Sequence, residues 1–185
     1  AGAGLTYTNY GGEIKKATPG VHVRGSYYIR EKYGIGLGLS YSLPAKSTYS
    51  EEGTTFESTT TFTAVSLLAT LHLIGTYESD FSLYFPVGAS YQMGTSKFKM
   101  TSTQPGTTLE VEDQKLNGLT VNVNIGMQYR IGGPYVFAEA GFALAANNTY
   151  NSREGVIGNN PAPGSTVLQL GIRFPFGSGV GGGVY

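Results

Sequence analysis

The feature that most constrains this chain is an alternation of period two, seen most plainly near its end. From Ser165 to Phe176, Leu168, Leu170, Ile172, Phe174 and Phe176 fall on one face. Val167, Gln169, Gly171, Arg173 and Pro175 fall on the other. Alternation of this kind places successive side chains on opposite sides of a strand. One such stretch also suits a soluble sandwich. Seven more decide the matter, and no helical period competes with them anywhere.

In chain order the pattern predicts strands at about Gly2–Tyr10, Val21–Arg30, Ile35–Leu43, Val65–Ile74, Phe81–Met93, Leu119–Arg130 and Val136–Ala145, with Ser165–Phe176 as the eighth. The fourth is the least regular, because Leu68 and Ile74 fall on its polar side. Three connections read as short turns: Glu31–Gly34, Gly75–Asp80 and Ile131–Pro134. Four read as long polar loops: Gly11–Gly20, Ala45 to about Thr60, Thr95–Lys115 and Asn147–Gly164. Alternating long and short links predict an all-β, eight-stranded antiparallel up-and-down barrel with four long loops at one end and three short turns at the other.

Such a barrel turns its apolar face either inward, in water, or outward, in lipid. In water the other face would carry Lys and Glu. Here it carries Gly, Ser, Thr, Asn, Gln and Tyr, with Arg24, Glu139, Arg173, His22 and His72 as its titratable exceptions. Charged residues make up only 13% of the chain, about half the usual share, and most belong to the loops. The expected fold is therefore a transmembrane barrel closed by pairing of its first and last strands, since lipid cannot satisfy a free edge. Aromatics suit both interfaces: Tyr27, Phe81, Tyr129, Phe174 and Phe176 at the short-turn end, Tyr7, Tyr41 and Tyr91 at the other.

Composition also excludes. Net charge is zero, so no broad attraction to nucleic acid is expected. There is no cysteine, hence no disulfide or thiolate chemistry. No apolar run approaches a membrane helix. The opening Ala-Gly-Ala-Gly lacks the basic start and apolar block of a signal peptide.

On these strands the chain resembles the small bacterial outer-membrane barrels of the OmpA transmembrane-domain and OmpX type, over about residues 1–176. The resemblance implies a bacterial outer-membrane location, with outer-membrane lipid and lipopolysaccharide as surroundings. It puts the long loops outside and the short turns in the periplasm. Gln169, Gly171, Phe174 and Phe176 resemble the terminal-strand signal read by the outer-membrane assembly machinery. The chain departs from that family by running on to Tyr185, and residues 177–185 read as a Gly-rich tail. Lipid A deacylases and palmitoyltransferases share the architecture. The deacylase pattern of a His with a Ser two positions on is absent at both His22 and His72.

Other motifs read as structure. Gly34-Ile-Gly-Leu-Gly38 lies within a strand with no helix after it, so it makes room for lumen side chains rather than cradling phosphate. His22 and His72 lack the further ligands of a metal site. With Arg24, Glu139 and Arg173 they read as a lumen polar network. Setting Glu139 opposite Arg173 also sets Val136 opposite Phe176 and Ala146 opposite Thr166, which predicts that ion pair. No cofactor, metal or catalytic residue is expected. The expected role is non-enzymatic: structural, adhesive or partner-binding through the long loops, toward envelope proteins or an extracellular ligand. A small passive conduit is the alternative, and a lipid A-modifying enzyme ranks third.

Overall fold

The computed structural model describes residues 1–10, 17–51, 54–102, 108–150 and 164–176. They form nine antiparallel strands: β1 (Gly2–Tyr10), β2 (Ala17–Arg30), β3 (Tyr33–Ser42), β4 (Ala45–Glu51), β5 (Thr54–Ile74), β6 (Phe81–Ser102), β7 (Thr108–Arg130), β8 (Tyr135–Tyr150) and β9 (Ser165–Arg173). Chain neighbours pair throughout except β3 with β4; β3 pairs with β5, and β1 pairs with β9 from Gly2↔Arg173 to Tyr10↔Ser165, so the sheet closes. Strands β3 and β4 both pair with β5. They are one wall strand broken at Leu43 and Pro44, since proline cannot donate to the ladder. The wall is thus eight-stranded.

Exposure follows the alternation. Leu5, Val21, Leu37, Leu67, Ile125 and Leu170 face outward and are exposed, whereas Thr6, His22, Ser82, Thr120, Gln128 and Glu139 are buried inside. The interior is therefore polar. Ile74 corrects its expected face: the register shifts between His72 and Ile74, and Ile74 is exposed on the outside. Leu68 does stand inside, buried.

The long loops also need correction. Ala45 to Thr60 forms β4 and the start of β5. Most of Thr95 to Lys115 belongs to β6 and β7, and 17–20 and 147–150 to β2 and β8. A strand needs only about ten residues to cross a bilayer. Strands β5, β6 and β7 have 21, 22 and 23 residues. Their far ends, with β4, rise above the barrel as a four-stranded sheet. The physical reason is that alternation of polarity reports two different solvents, not extended backbone. Where both faces meet water the contrast fades. The Thr-rich run from Thr54 to Thr63 still favours a strand through β-branching. The remainder of the expected loops, and the tail at 177–185, lie outside the described residues.

The register of the last hairpin is the third correction. Glu139 faces Gln169, and Arg173 faces Tyr135, four residues from the expected pairing. β8 ends at Tyr150 and β9 begins at Ser165, too far apart in sequence for a two-residue hairpin to pin their register. The offset is even, so both side chains keep the lumen face.

Candidate functional site

A plug built from five strands fills the lumen toward its short-turn end. Arg24 on β2 donates from Nη1 to Glu139 Oε1 at 2.6 Å and from Nη2 to Oε2 at 2.9 Å. This is the two-pronged geometry that binds carboxylates most strongly. Arg24 also reaches Gln169 Oε1 at 3.1 Å. Tyr84 on β6 donates its hydroxyl to Glu139 Oε1 at 2.9 Å. Arg173 stands farther off, with Nη2 3.5 Å from Glu139 Oε1. It donates to Gln128 Oε1 at 2.5 Å. Its guanidinium lies 5.1 Å from the Tyr84 ring centre and 5.0 Å from that of Phe137. Two lumen arginines thus share one carboxylate, and amide and ring faces take up the remainder. Glu139 is 1% exposed, so its partners are obligatory.

The histidines sit apart. His22 packs edge-on against Phe137 at 5.6 Å, and neither ring nitrogen has a hydrogen-bond partner. His72 lies 3.1 Å from Ser82 Oγ and 3.4 Å from Tyr28 OH. That serine and histidine resemble a nucleophile with its base. Both are sealed from solvent, at 0% and 1% exposure, and no carboxylate orients the ring.

Tyr84, Gln128 and Phe137 belong to the plug but carried no sequence motif. One signal was available: Tyr84 faces Gly126 across the β6–β7 ladder. A Cβ on Gly126 would lie 2.6 Å from the Tyr84 ring and 2.8 Å from Glu139 Cγ. The same logic holds at Gly34, where a Cβ would meet the Tyr28 ring at 2.8 Å, but not at Gly38, where the nearest atom is 3.6 Å away.

Above the plug lies a chamber of about 70 Å³, lined by Thr6, Ser40, Ser66, Asn122, Asn124 and Ser165 among others. It has room for a few waters. Tyr10 and Phe62, stacked at 4.6 Å and buried, line its far end. Below the plug a vestibule of about 400 Å³ is lined by Tyr28, Tyr77, Tyr135 and Arg173. Arg24 lines both spaces.

The protruding sheet offers a second candidate site. One ladder row reads Tyr49↔Phe56↔Met100↔Leu109, and the next Ser47↔Ser58↔Phe98↔Val111. Phe56 and Phe98 continue the lumen-facing positions of β5 and β6, so these two aromatics look inward over the barrel mouth. Tyr49 and Phe56 are 60% and 43% exposed. Among the described residues β4 pairs on one side only, leaving an edge of backbone donors and acceptors.

Gln169 and Gly171 lie on β9, and Phe174 and Phe176 are exposed just beyond it. Gln169 is engaged with Arg24 inside the barrel.

Residues 1–174 match the family model described as outer membrane protein beta-barrel domain. Neisserial surface protein A is similar in structure, with a TM-score of 0.60 at 13% identity over 95% of both chains. Ail, the attachment invasion locus protein of Yersinia pestis, gives 0.54 at 12% identity over 94% of both. The same values hold for Ail in complex with the heparin analogue sucrose octasulfate. No curated protein matches the chain in sequence.

Proposed function

The chain belongs to the outer membrane β-barrel domain family and resides in the bacterial outer membrane; from that premise we propose that it is a closed, non-enzymatic barrel that engages a partner through its protruding sheet. The observation that carries this reading is the sheet itself. An extended partner segment could pair with the β4 edge and set alternate side chains on the Tyr49, Phe56, Phe98 and Met100 row. The plug supports the same reading from the other side. A lumen filled at Arg24, Glu139, Tyr84 and Arg173 does not favour a conduit. In this reading the long-strand end faces outside, and both chain ends and the short turns face the periplasm.

Three measurements test it. Single-channel recording in planar bilayers should show no discrete steps; a steady conductance would favour the conduit instead. The chain has no cysteine, so Ser50→Cys on β4 can be labelled uniquely. A membrane-impermeant maleimide should react with it on intact cells. Cells displaying the protein should adhere to immobilised extracellular-matrix proteins better than cells displaying Tyr49→Ser with Phe56→Ser. Equal adhesion would remove the sheet from the reading.

A further inference from the structure

The charges of the plug do not balance. Arg24 and Arg173 are two guanidiniums around one carboxylate, that of Glu139. Arg24 takes both carboxylate oxygens with its fork, at 2.6 and 2.9 Å. Arg173 reaches the carboxylate only at 3.5 Å and the Tyr84 hydroxyl at 3.4 Å. Its short hydrogen bond goes to the amide oxygen of Gln128, and its guanidinium lies beside the Tyr84 and Phe137 rings. Those partners solvate the cation, but none of them is an anion. A charge held away from water is stable only with a counter-charge. Arg173 is therefore the group that can take a second one.

The vestibule at the short-turn end gives access to it. The Arg173 side chain is 12% exposed, against 1% for Glu139, and it lines this space of about 400 Å³. On one ladder Arg173 faces Gly2, which puts no side chain over it, and on the other it faces Tyr135. Tyr135 lines the same vestibule and is buried, yet its hydroxyl has no hydrogen-bond partner. Arg130 stands over the Tyr135 ring, 5.1 Å from its centre, and has Asp80 at 3.8 Å. A buried hydroxyl without a partner is costly, so it marks a place where an acceptor belongs. A cation and an unused donor thus adjoin on neighbouring strands. The walls around them are aromatic: Tyr28 and Tyr77 stack at 4.4 Å, and Phe174 and Phe176 continue the lining. Among the described lining residues Glu78 is the one acid, and it is exposed.

We infer that the vestibule binds a small aromatic monocarboxylate. Its carboxylate docks on Arg173 and the Tyr135 hydroxyl, and its ring lies against the tyrosine walls. The planar fork of a guanidinium matches a carboxylate. One unbalanced cation matches one negative charge, and the Glu78 carboxylate disfavours a ligand with more. The volume is at the lower end of small-molecule pockets, so the ligand is compact. In the proposed orientation the site opens to the periplasm. It shares no residue with the protruding sheet, so either reading can fail without the other.

The test is calorimetric titration of naphthoate into the folded full chain in phosphatidylcholine nanodiscs, with empty discs as the blank. Saturable binding at one site is expected. Naphthalenemethanol, the uncharged analogue, should bind about tenfold more weakly, because it gives up a charge-assisted hydrogen bond. Arg173→Met keeps the Arg24–Glu139 pair and balances the plug, so it should fold. It should bind naphthoate about tenfold more weakly and leave the alcohol unchanged. Tyr135→Phe keeps the ring and should weaken naphthoate by about threefold. Lys32→Gln, at the same end but outside the vestibule lining, should match the wild type. The gel shift between heated and unheated samples verifies folding of each variant. Should Arg173→Met not fold, the acid–alcohol comparison and Tyr135→Phe carry the test. No saturable binding, equal affinity for acid and alcohol, or full affinity in folded Arg173→Met would overturn the site. Displacement of naphthoate by inorganic phosphate as readily as by benzoate would overturn the carboxylate as its ligand.

Discussion

The lower and upper halves of β6 are one unbroken strand with opposite polarity. Below, Phe81, Leu83, Phe85, Val87, Ala89, Tyr91 and Met93 point outward, while Ser82, Tyr84, Ser90 and Gln92 point inward. Above, Thr95, Lys97 and Lys99 take the outward positions, and Phe98 and Met100 the inward ones. The backbone does not change; the solvent does. Lipid bounds the lower half, so apolar residues belong outside and polar ones satisfy one another within. Water bounds the upper half, and there the inward row of aromatics is a surface with no core beneath it. That inversion separates the part of the molecule that holds it in the membrane from the part proposed to meet a partner.

The largest effect should come from the interior of the lower half. Glu139→Gln leaves Arg24 and Arg173 buried without a carboxylate, and should cost about 3–5 kcal/mol of unfolding free energy in lipid vesicles. Adding Arg24→Met should return part of that loss. A single-variant cost under about 1 kcal/mol would mean that lumen water, not the network, carries the charge.

Next comes the outer face. Ile125→Arg lies on the outward surface of the membrane-spanning part of β7, and should cost about 2–4 kcal/mol. Thr101→Arg, outward on the upper half of β6, should stay within about 0.5 kcal/mol. Similar costs at both sites would erase the boundary drawn near Thr95.

Gly126→Ala probes the packing of the plug. Its Cβ would press on the Tyr84 ring and Glu139 Cγ, and overpacking of that kind costs about 1–3 kcal/mol. Neutral unfolding together with an unchanged Tyr84 environment would show the plug to be looser than its geometry. The smallest effect is expected for Phe98→Ser on the upper inner row: under about 1 kcal/mol in stability, yet a measurable loss of adhesion. A large stability loss there would make the row a structural core rather than a binding surface.

Much of this was legible beforehand, and its limits are physical. Closure, strand count and the outward apolar faces followed from alternation, because a bilayer imposes a steep polarity difference across each strand. The upper sheet reads as loop at Ala45–Thr60 and Thr95–Lys115, because Ser, Thr, Lys and Glu dominate there and apolar residues are confined to a short inner row. Strict alternation puts Ile74 on the wrong face because the register shifts after His72, and its apolar side chain on the polar side is the one mark of that shift in the sequence. The lumen charges were visible as Arg24, Glu139 and Arg173, but not their pairing. Arg24 and Glu139 are 115 residues apart, on strands that do not touch along the ladder, and they meet only across the closed lumen.

Sequence by itself therefore determined which residues face lipid and which face inward, since that property is local and repeats every second residue. Only the tertiary structure decided which inward residues meet. The stagger of eight strands around a closed barrel sets the height of each side chain in the lumen. A shift of two residues in any register would preserve every face while exchanging every partner. Glu139 accordingly takes Arg24 as its bidentate partner and Gln169 as its ladder neighbour, with Arg173 at 3.5 Å.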